Sequence, residues 1–483
     1  MLFNSLDFAV FLPLVFAGYW MLGGARRREQ NFWLLLVSYV FYGWWDWRFL
    51  GLIALSSAVD YWVGLRLAER PGRARGRRLL GVSLALNLGT LATFKYFDFF
   101  AASFAGAFTL LGRPFEPWQL GWVLPVGISF YTFQTLSYTI DVYRGRAEPT
   151  RDAVAFFAFV SFFPQLVAGP IERASHLLPQ FLRERRFSYP RAVLGLRQVL
   201  WGLVKKMVVA DNCARVVNDI WANYETASGG YLLLATTLFA FQIYGDFSGY
   251  SDIAIGTSRL FGFDLRRNFA YPYFARNVAE FWRRWHISLS TWFRDYVYVP
   301  LGGSRAGRGR QLLAVWAVFL LSGFWHGANW TFLLWGALHA LLYCGNLLAG
   351  TARRYRGTVA AGRRAPGPRE ALRMAGTFLA VTLAWVPFRA ASLPECLIIY
   401  GRIFDPGSWG GTSVASLGQL GFALLAVGFV LLVEWAGRGQ DFALANWPDR
   451  LPRPVRYAGY ALLAAATLLY SVTDRTPFIY FQF

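Results

Sequence analysis

At 483 residues, 56% hydrophobic and 16% charged, with a mean hydropathy of +0.35, the chain has too little polar surface for a water-soluble globular protein of its size. The formal net charge of +21 does not make it a nucleic-acid binder. Its arginines cluster between apolar runs, at 26–28, 66–78, 183–186, 305–310, 353–373 and 438–456, as cytoplasmic loops do under the positive-inside rule, and no aromatic-rich soluble module accompanies them. Such loops also attract anionic membrane lipids. Cys213, Cys344 and Cys396 have neither metal spacing nor pairing, so neither a disulfide framework nor a metal site is indicated.

The pattern predicts an all-α polytopic membrane protein with roughly 11–13 transmembrane or re-entrant helices in a single integral-membrane domain. Residues 1–160 supply amino-terminal helices, 161–350 a motif-bearing core, 351–475 carboxy-terminal helices, and 476–483 an aromatic tail. Residues 1–22 lack the basic segment and cleavage site of a secretory signal and are expected to remain as the first helix, with the amino terminus outside. Further apolar segments follow at 32–45, 50–63, 79–94, 122–138, 153–168, 192–210 and 231–244. Asp60, Lys95 and Asp98 are placed near predicted helix ends, where snorkelling or local pairing accounts for them. Pro164, Gly169 and Pro170 interrupt the run that begins at 153, and an amphipathic surface segment follows at 174–181, with His176 beside Glu172 in an interfacial position.

At 244–256 polarity returns, with Asp246 and Asp252 among Gly and Ser. Two readings stand there: a helix unwound around a wet cavity, or a polar surface loop with both carboxylates solvated. Residues 281–342 hold three of the four histidines. Between Arg310 and Trp325 there are only apolar residues, Gln311, Ser322 and Gly323, so the chain enters hydrocarbon from a basic surface. As a helix, 311–324 rises about 21 Å, most of a hydrocarbon core of about 30 Å. His326 is thereby set at depth, Gly327, Ala328 and Asn329 turn the chain, and 330–348 return it to Arg353, Arg354 and Arg356. An ionisable group so placed is a candidate functional residue, against the alternative of a histidine that satisfies a backbone carbonyl in a kink. His339 reads as a satisfied core histidine, and His286, behind Arg283 and Arg284, as interfacial. Later segments lie at 374–386, 417–435 and 457–470. Positive-inside bookkeeping puts 390–416 outside, 438–456 inside and the carboxy terminus outside. The tail is too hydrophobic to stay in solvent and is expected to dock on the protein or the membrane interface.

Phe163-Pro164-Gln165 with Ala168-Gly169-Pro170-Ile171, the 244–252 stretch, Phe281-Trp282-Arg283-Arg284-Trp285-His286-Ile287-Ser288-Leu289-Ser290, and Trp325-His326-Gly327-Ala328 together resemble the membrane-bound O-acyltransferases over nearly the whole chain. The resemblance implies tilted helices around a tunnel that joins a cytoplasmic acyl donor to an extracytoplasmic acceptor. His326 matches the family's catalytic histidine and His286 its second polar position. The implied function is O-acetylation of an exopolysaccharide such as alginate, in the bacterial inner membrane, with a periplasmic SGNH-type acetyltransferase and a polysaccharide biosynthesis complex as partners. A neutral imidazole at 326 suits proton abstraction from a hydroxyl that attacks a thioester. His286, Trp325, Asn329 and the region of Asp246 and Asp252 are candidates to orient it or to line the tunnel. The arginine-rich face suits the phosphates of acetyl-CoA, with a carrier-protein phosphopantetheine as the other donor. The segment 478–483 also resembles the aromatic end of a small membrane peptide of the D-alanyl transfer system, in which a tyrosine is implicated as acyl carrier. Tyr480 is accordingly either an acyl carrier or an interfacial aromatic anchor. A transporter or a non-catalytic scaffold subunit is the competing class, and the transporter predicts internal repeats that the sequence does not show.

Overall fold

The computed structural model describes all residues except 70–71, 168, 411–415, 472–477 and 480–483, with 447–448 described as backbone alone. It is helical throughout, with no strand among the described residues. Five helical stretches are long and apolar enough to cross a membrane, Arg27–Ala68, Arg73–Leu110, Trp330–Leu348, Pro368–Arg389 and Leu417–Ala436, and shorter apolar helices accompany them. The protein is therefore a multi-pass membrane protein. Its chain forms two compact units, Met1–Leu196 with Ala254–Arg266, and Arg197–Ile253 with Arg267–Phe483.

The first unit contains α1 (Leu6–Met21), α2 (Arg27–Asp46), α3 (Leu50–Ala68), α4 (Arg73–Leu91), α5 (Phe97–Leu110), α6 (Ile128–Tyr143), α7 (Ala153–Ser161), the single turn α8 (Phe163–Leu166) and α9 (Ala174–Phe181). A π-helical turn at Ala92–Tyr96 joins α4 to α5, so the segment expected at 79–94 continues into a longer helix. The segment expected at 122–138 begins as helix only at Ile128, because Pro125 and a left-handed Gly127 (φ 76°) precede it. The interruption expected near Pro164 is present: α7 stops at Phe162, which turns out of helical geometry, and Pro164 lies in the first turn of α8. Asp60 is not at a helix end. It is buried in the middle of α3, where Ser83 Oγ donates to Oδ1 at 2.5 Å and Asn87 Nδ2 to Oδ2 at 2.8 Å. Ser56 and Thr135 in turn donate to Asn87 Oδ1, so a hydroxyl and an amide from α4 solvate the carboxyl in place of water while α3 and α6 hold that amide. Asp98 accepts the backbone N–H groups of Leu120 and Gly121 and so pairs locally, as expected.

The second unit begins within α10 (Tyr189–Leu203) and continues with α11 (Asp211–Trp221), α12 (Gly229–Leu260, leaving this unit after Ile253), α13 (Val278–Arg284), α14 (Ile287–Phe293), α15 (Arg308–His326), α16 (Trp330–Leu348), α17 (Pro368–Ala384), the turn α18 (Val386–Arg389), α19 (Leu393–Phe404), α20 (Leu417–Ala436) and α21 (Arg453–Leu469). A seven-residue π-helical stretch, Val204–Ala210, carries α10 into α11. Neither reading of the 244–256 stretch holds, because α12 runs unbroken for 32 residues and Asp246 lies buried within it. Gly245 and Gly249 in α12 face the carbonyls of Lys205 and Gly202, so the small residues serve close helix approach rather than unwinding.

The hairpin of α15 and α16 forms as expected, with Asn329 as its hinge residue. Its crossing has no room for a side chain: a Cβ on Gly323 would collide with the carbonyl oxygen of Phe332, and one on Gly336 with that of Phe319. Backbone contact of this kind fixes the height of His326 relative to α16. Gly336→Ala is therefore expected to destabilise the folded protein by about 1–3 kcal/mol, read as a lowered unfolding temperature in detergent, whereas Gly345→Ala, which meets open space, leaves that temperature unchanged.

Candidate active site

His326 is the last residue of α15 and is buried. Its ring packs edge-on against Trp325 (4.9 Å between centroids), Trp335 (5.0 Å) and Phe388 (5.2 Å). α15 supplies the histidine, α16 the indole of Trp335, and α18 the phenyl of Phe388.

His286 lies in the bend between α13 and α14 with a left-handed backbone (φ 42°, ψ 55°), a conformation that costs free energy for a residue bearing a Cβ. The bend is tied down from 268–270: Ala270 N–H donates to Arg284 O, and Ile287 N–H donates to Asn268 O. It is fully buried rather than interfacial, since Phe247 packs edge-on at 4.6 Å and Trp325 at 6.0 Å, and the arginines that precede it turn the other way, to Glu280 and to backbone carbonyls. Trp325 thus stands against both histidine rings.

The tautomer of His286 follows from its neighbours. The backbone N–H of Ser288 donates to Asn268 Oδ1 (3.2 Å) and Ser288 Oγ donates to the same atom (2.9 Å), which identifies it as the amide oxygen, while Asn268 Nδ2 donates to Ser251. His286 Nδ1 lies 3.1 Å from that oxygen and must be the protonated nitrogen. Nε2 then carries the lone pair, is buried, and has no hydrogen-bond partner among the described residues. In this state the ring accepts a proton and does not donate to an oxyanion. His339, as expected, is a core residue: its Nδ1 accepts from Trp282 Nε1 at 3.2 Å between stacked aromatics.

The carboxylates at 246 and 252 are held by two lysines of the π-helical stretch. Lys206 Nζ pairs with Asp246 (2.7 Å) and Asp211 (2.8 Å), and Lys205 Nζ with Asp252 (2.6 Å). Neither aspartate is directed to a histidine ring. Asn329 is likewise committed elsewhere: Oδ1 caps α16 through Thr331 N–H and Nδ2 donates to Ala391 O. Sequence reasoning passed over Asn268, Lys205 and Lys206. The lysines did carry a signal, since the chain has only three and all sit in apolar runs, whereas its arginines fill the loops. Ala168 and Tyr480 lie outside the described residues.

A cavity of about 540 Å³ opens beside α15. Arg283, Arg294, Arg353 and Arg356, all exposed, line its mouth, and Trp282, Phe293 and Phe319 its interior. Gln311, Val315, Val318, Phe319 and Ser322 line it from α15 itself. These positions recur at helical spacing along one face, and the next position on that face is His326, about 22 Å of helical rise from Gln311. The cavity lining on α15 ends at Ser322, one turn before His326.

Residues 149–376 match the model of the MBOAT, membrane-bound O-acyltransferase family. The chain is 38% identical to the probable alginate O-acetylase AlgI of Azotobacter vinelandii and 37% identical to that of Pseudomonas putida, in each case over the whole of both chains. It is 36% identical to the peptidoglycan O-acetyltransferase of Helicobacter pylori over 82% of this chain and 78% of that one. The chain belongs to the membrane-bound O-acyltransferase family.

As an O-acyltransferase it must bring a hydroxyl to an activated acyl group, and an imidazole is a side chain suited to handle a hydroxyl proton. The Asn268 amide makes a direct prediction about that of His286. Nitrogen NMR of histidine-labelled protein is expected to show His286 as the Nδ1–H tautomer, and Asn268→Leu to produce a tautomer mixture with an acyl-transfer rate lower by about tenfold or more.

Proposed function

We propose that this acyltransferase moves an acetyl group from a thioester donor on the cytoplasmic side of the inner membrane towards O-acetylation of a secreted polysaccharide, alginate being the first candidate. The observation that carries the reading is the single face of α15 that lines the arginine-mouthed cavity and ends at His326. The full-length identity to relatives named for alginate O-acetylation supports the polymer. A second reading, peptidoglycan, draws support from the Helicobacter pylori relative of similar identity. Analysis of acetyl esters in each polymer from a deletion strain and its complemented parent separates the two.

In this reading acetyl-CoA is the donor. Its phosphates sit at Arg283, Arg353 and Arg356, its arm follows the cavity, and the thioester reaches His326. His326 is the general base: it takes the proton of the attacking hydroxyl as the new C–O bond forms, the C–S bond breaks, and the proton passes to the departing thiolate. His286 acts beside it as a second proton acceptor or as an orienting group. Tyr480 is the first acceptor. A phenol has a reference pKa of about 10, so its ester retains much of the thioester's transfer potential. A hydroxyl of a periplasmic SGNH-type transferase then attacks that ester and the phenolate regains a proton. The arginine-rich loops, in this topology, face the cytoplasm and both termini the outside.

His326→Ala is expected to lower polymer acetylation by roughly 10²–10⁴-fold in a complemented deletion strain, with the protein still inserted at parental level. Mass spectrometry of the carboxy-terminal peptide after donor is added should find acetyl on Tyr480 in the His326 parent and none in the variant. Arg353→Glu with Arg356→Glu should raise KM for acetyl-CoA about tenfold, the scale of one lost charge-assisted contact. The same pair should leave KM unchanged for an N-acetylcysteamine thioester, which has no phosphate. Equal KM changes for both donors would remove CoA from the arginine mouth.

A further inference from the structure

The buried carboxylate of Asp246 has two different partners. Its Oδ1 pairs with Lys206 Nζ at 2.7 Å, and its Oδ2 accepts the backbone N–H of Ile479 at 2.7 Å, 233 residues further along the chain. Lys206 is held from the other side by Asp211 at 2.8 Å and lies 5.7 Å from the centroid of the Tyr250 ring. Phe478 packs on that same Tyr250 ring (4.4 Å) and on Phe247 (5.9 Å), and both Phe478 and Ile479 are buried. Phe247 in turn is the ring that packs edge-on against His286 at 4.6 Å. Phe478 and Ile479 therefore dock onto α12 next to the buried histidine, through one hydrogen bond to a carboxylate and one aromatic side chain.

We propose that the Lys206–Asp246–Asp211 cluster is a latch that fixes Phe478 and Ile479 at this place, which makes Lys206 and Asp246 positioning residues for acyl transfer. Three observations favour a latch over a purely structural ion cluster. Ion pairing needs only one oxygen of Asp246, and the second is spent on the tail. Lys206 stands at one oxygen of the carboxylate, and a hydrogen bond within an ion-paired group is stronger than one between neutral partners. The aromatic seat of Phe478, formed by Tyr250 and Phe247, lies on the same helix as Asp246, four residues and one residue away, so one helical surface binds backbone and side chain together. The next residue in the chain is Tyr480. The consequence for catalysis rests on the reading of Tyr480 as acyl acceptor, but the latch itself does not.

The test uses the full-length protein with a Gln482→Cys reporter. Its maleimide labelling is followed by mass spectrometry of the carboxy-terminal peptide, so that the buried native cysteines Cys213, Cys344 and Cys396 do not enter the signal. Asp246→Ala removes the latch from the helix side. Ile479→Pro removes it from the tail side, because proline has no N–H to donate, and it leaves the ion cluster untouched, so it cannot fail by leaving Lys206 with one partner. Each is expected to speed labelling about tenfold, the scale of one hydrogen bond to a charged group. The double variant should label no faster than the faster single one, and Ile479→Val, which keeps the N–H, should label at the parental rate. An unchanged rate in Ile479→Pro, or fully multiplicative effects in the double variant, overturns the latch. If labelling rises as expected and the same variants lose polymer acetylation, the positioning role stands. If labelling rises while acetylation and Tyr480→Phe activity stay at the parental level, the latch stands and the acyl-carrier reading of Tyr480 falls.

Discussion

Ammonium groups withdrawn from water are tolerated only when anions meet them at close range, and the second unit is built around two such meetings. Asp211 and Asp246 converge on Lys206, and Asp252 converges on Lys205 with Gln198 and Ser248 completing the hydrogen bonds. The seven-residue π-helical stretch carries both lysines towards α12, and the glycines at 202, 245 and 249 let the two backbones approach closely enough for short pairs to form. Removing either partner would leave a charge stranded in an apolar interior, so α10, α11 and α12 are bound to one relative arrangement. Tyr244 extends the theme, donating to the buried Glu434 carboxylate of α20 while its ring lies 5.6 Å from Lys205 Nζ.

The histidine pair is framed by a different kind of force. Around His326 the contacts are aromatic edges from three helices, which constrain the orientation of the ring. Around His286 the constraint is polar and specific: a backbone N–H, a hydroxyl and the imidazole share one amide oxygen. The left-handed backbone at His286 is the strained element of this arrangement, and the backbone bonds from Asn268 and Ala270 hold it there.

Much of this architecture is legible in the sequence. The α15–α16 hairpin is, because a long apolar run bounded by arginines leaves few alternatives for a buried histidine at its far end. The late start of α6 is not, because hydropathy averages over Pro125 and Gly127, whereas backbone geometry does not. The continuity of α12 was missed because glycine and serine beside carboxylates suit both unwinding and close packing, and the choice depends on lysines that arrive from a different stretch. The polar partner of His286 is Asn268, 18 residues earlier, and no periodicity connects those two positions. The lysines were the unused clue. Three of them in apolar surroundings, against dozens of arginines in loops, already separate the cations that set topology from those that hold the interior together.

That division of labour has a chemical corollary. An enzyme that handles activated acyl groups risks modifying its own primary amines, since an uncharged ε-amine attacks thioesters and aryl esters readily. Guanidinium groups offer no comparable nucleophile, and they supply nearly all the positive charge at this protein's surface. Lys205 and Lys206, with side chains 4% and 1% exposed, are each held against carboxylates. The positive charge of this chain is thus carried almost wholly by groups that do not form amides with acyl donors.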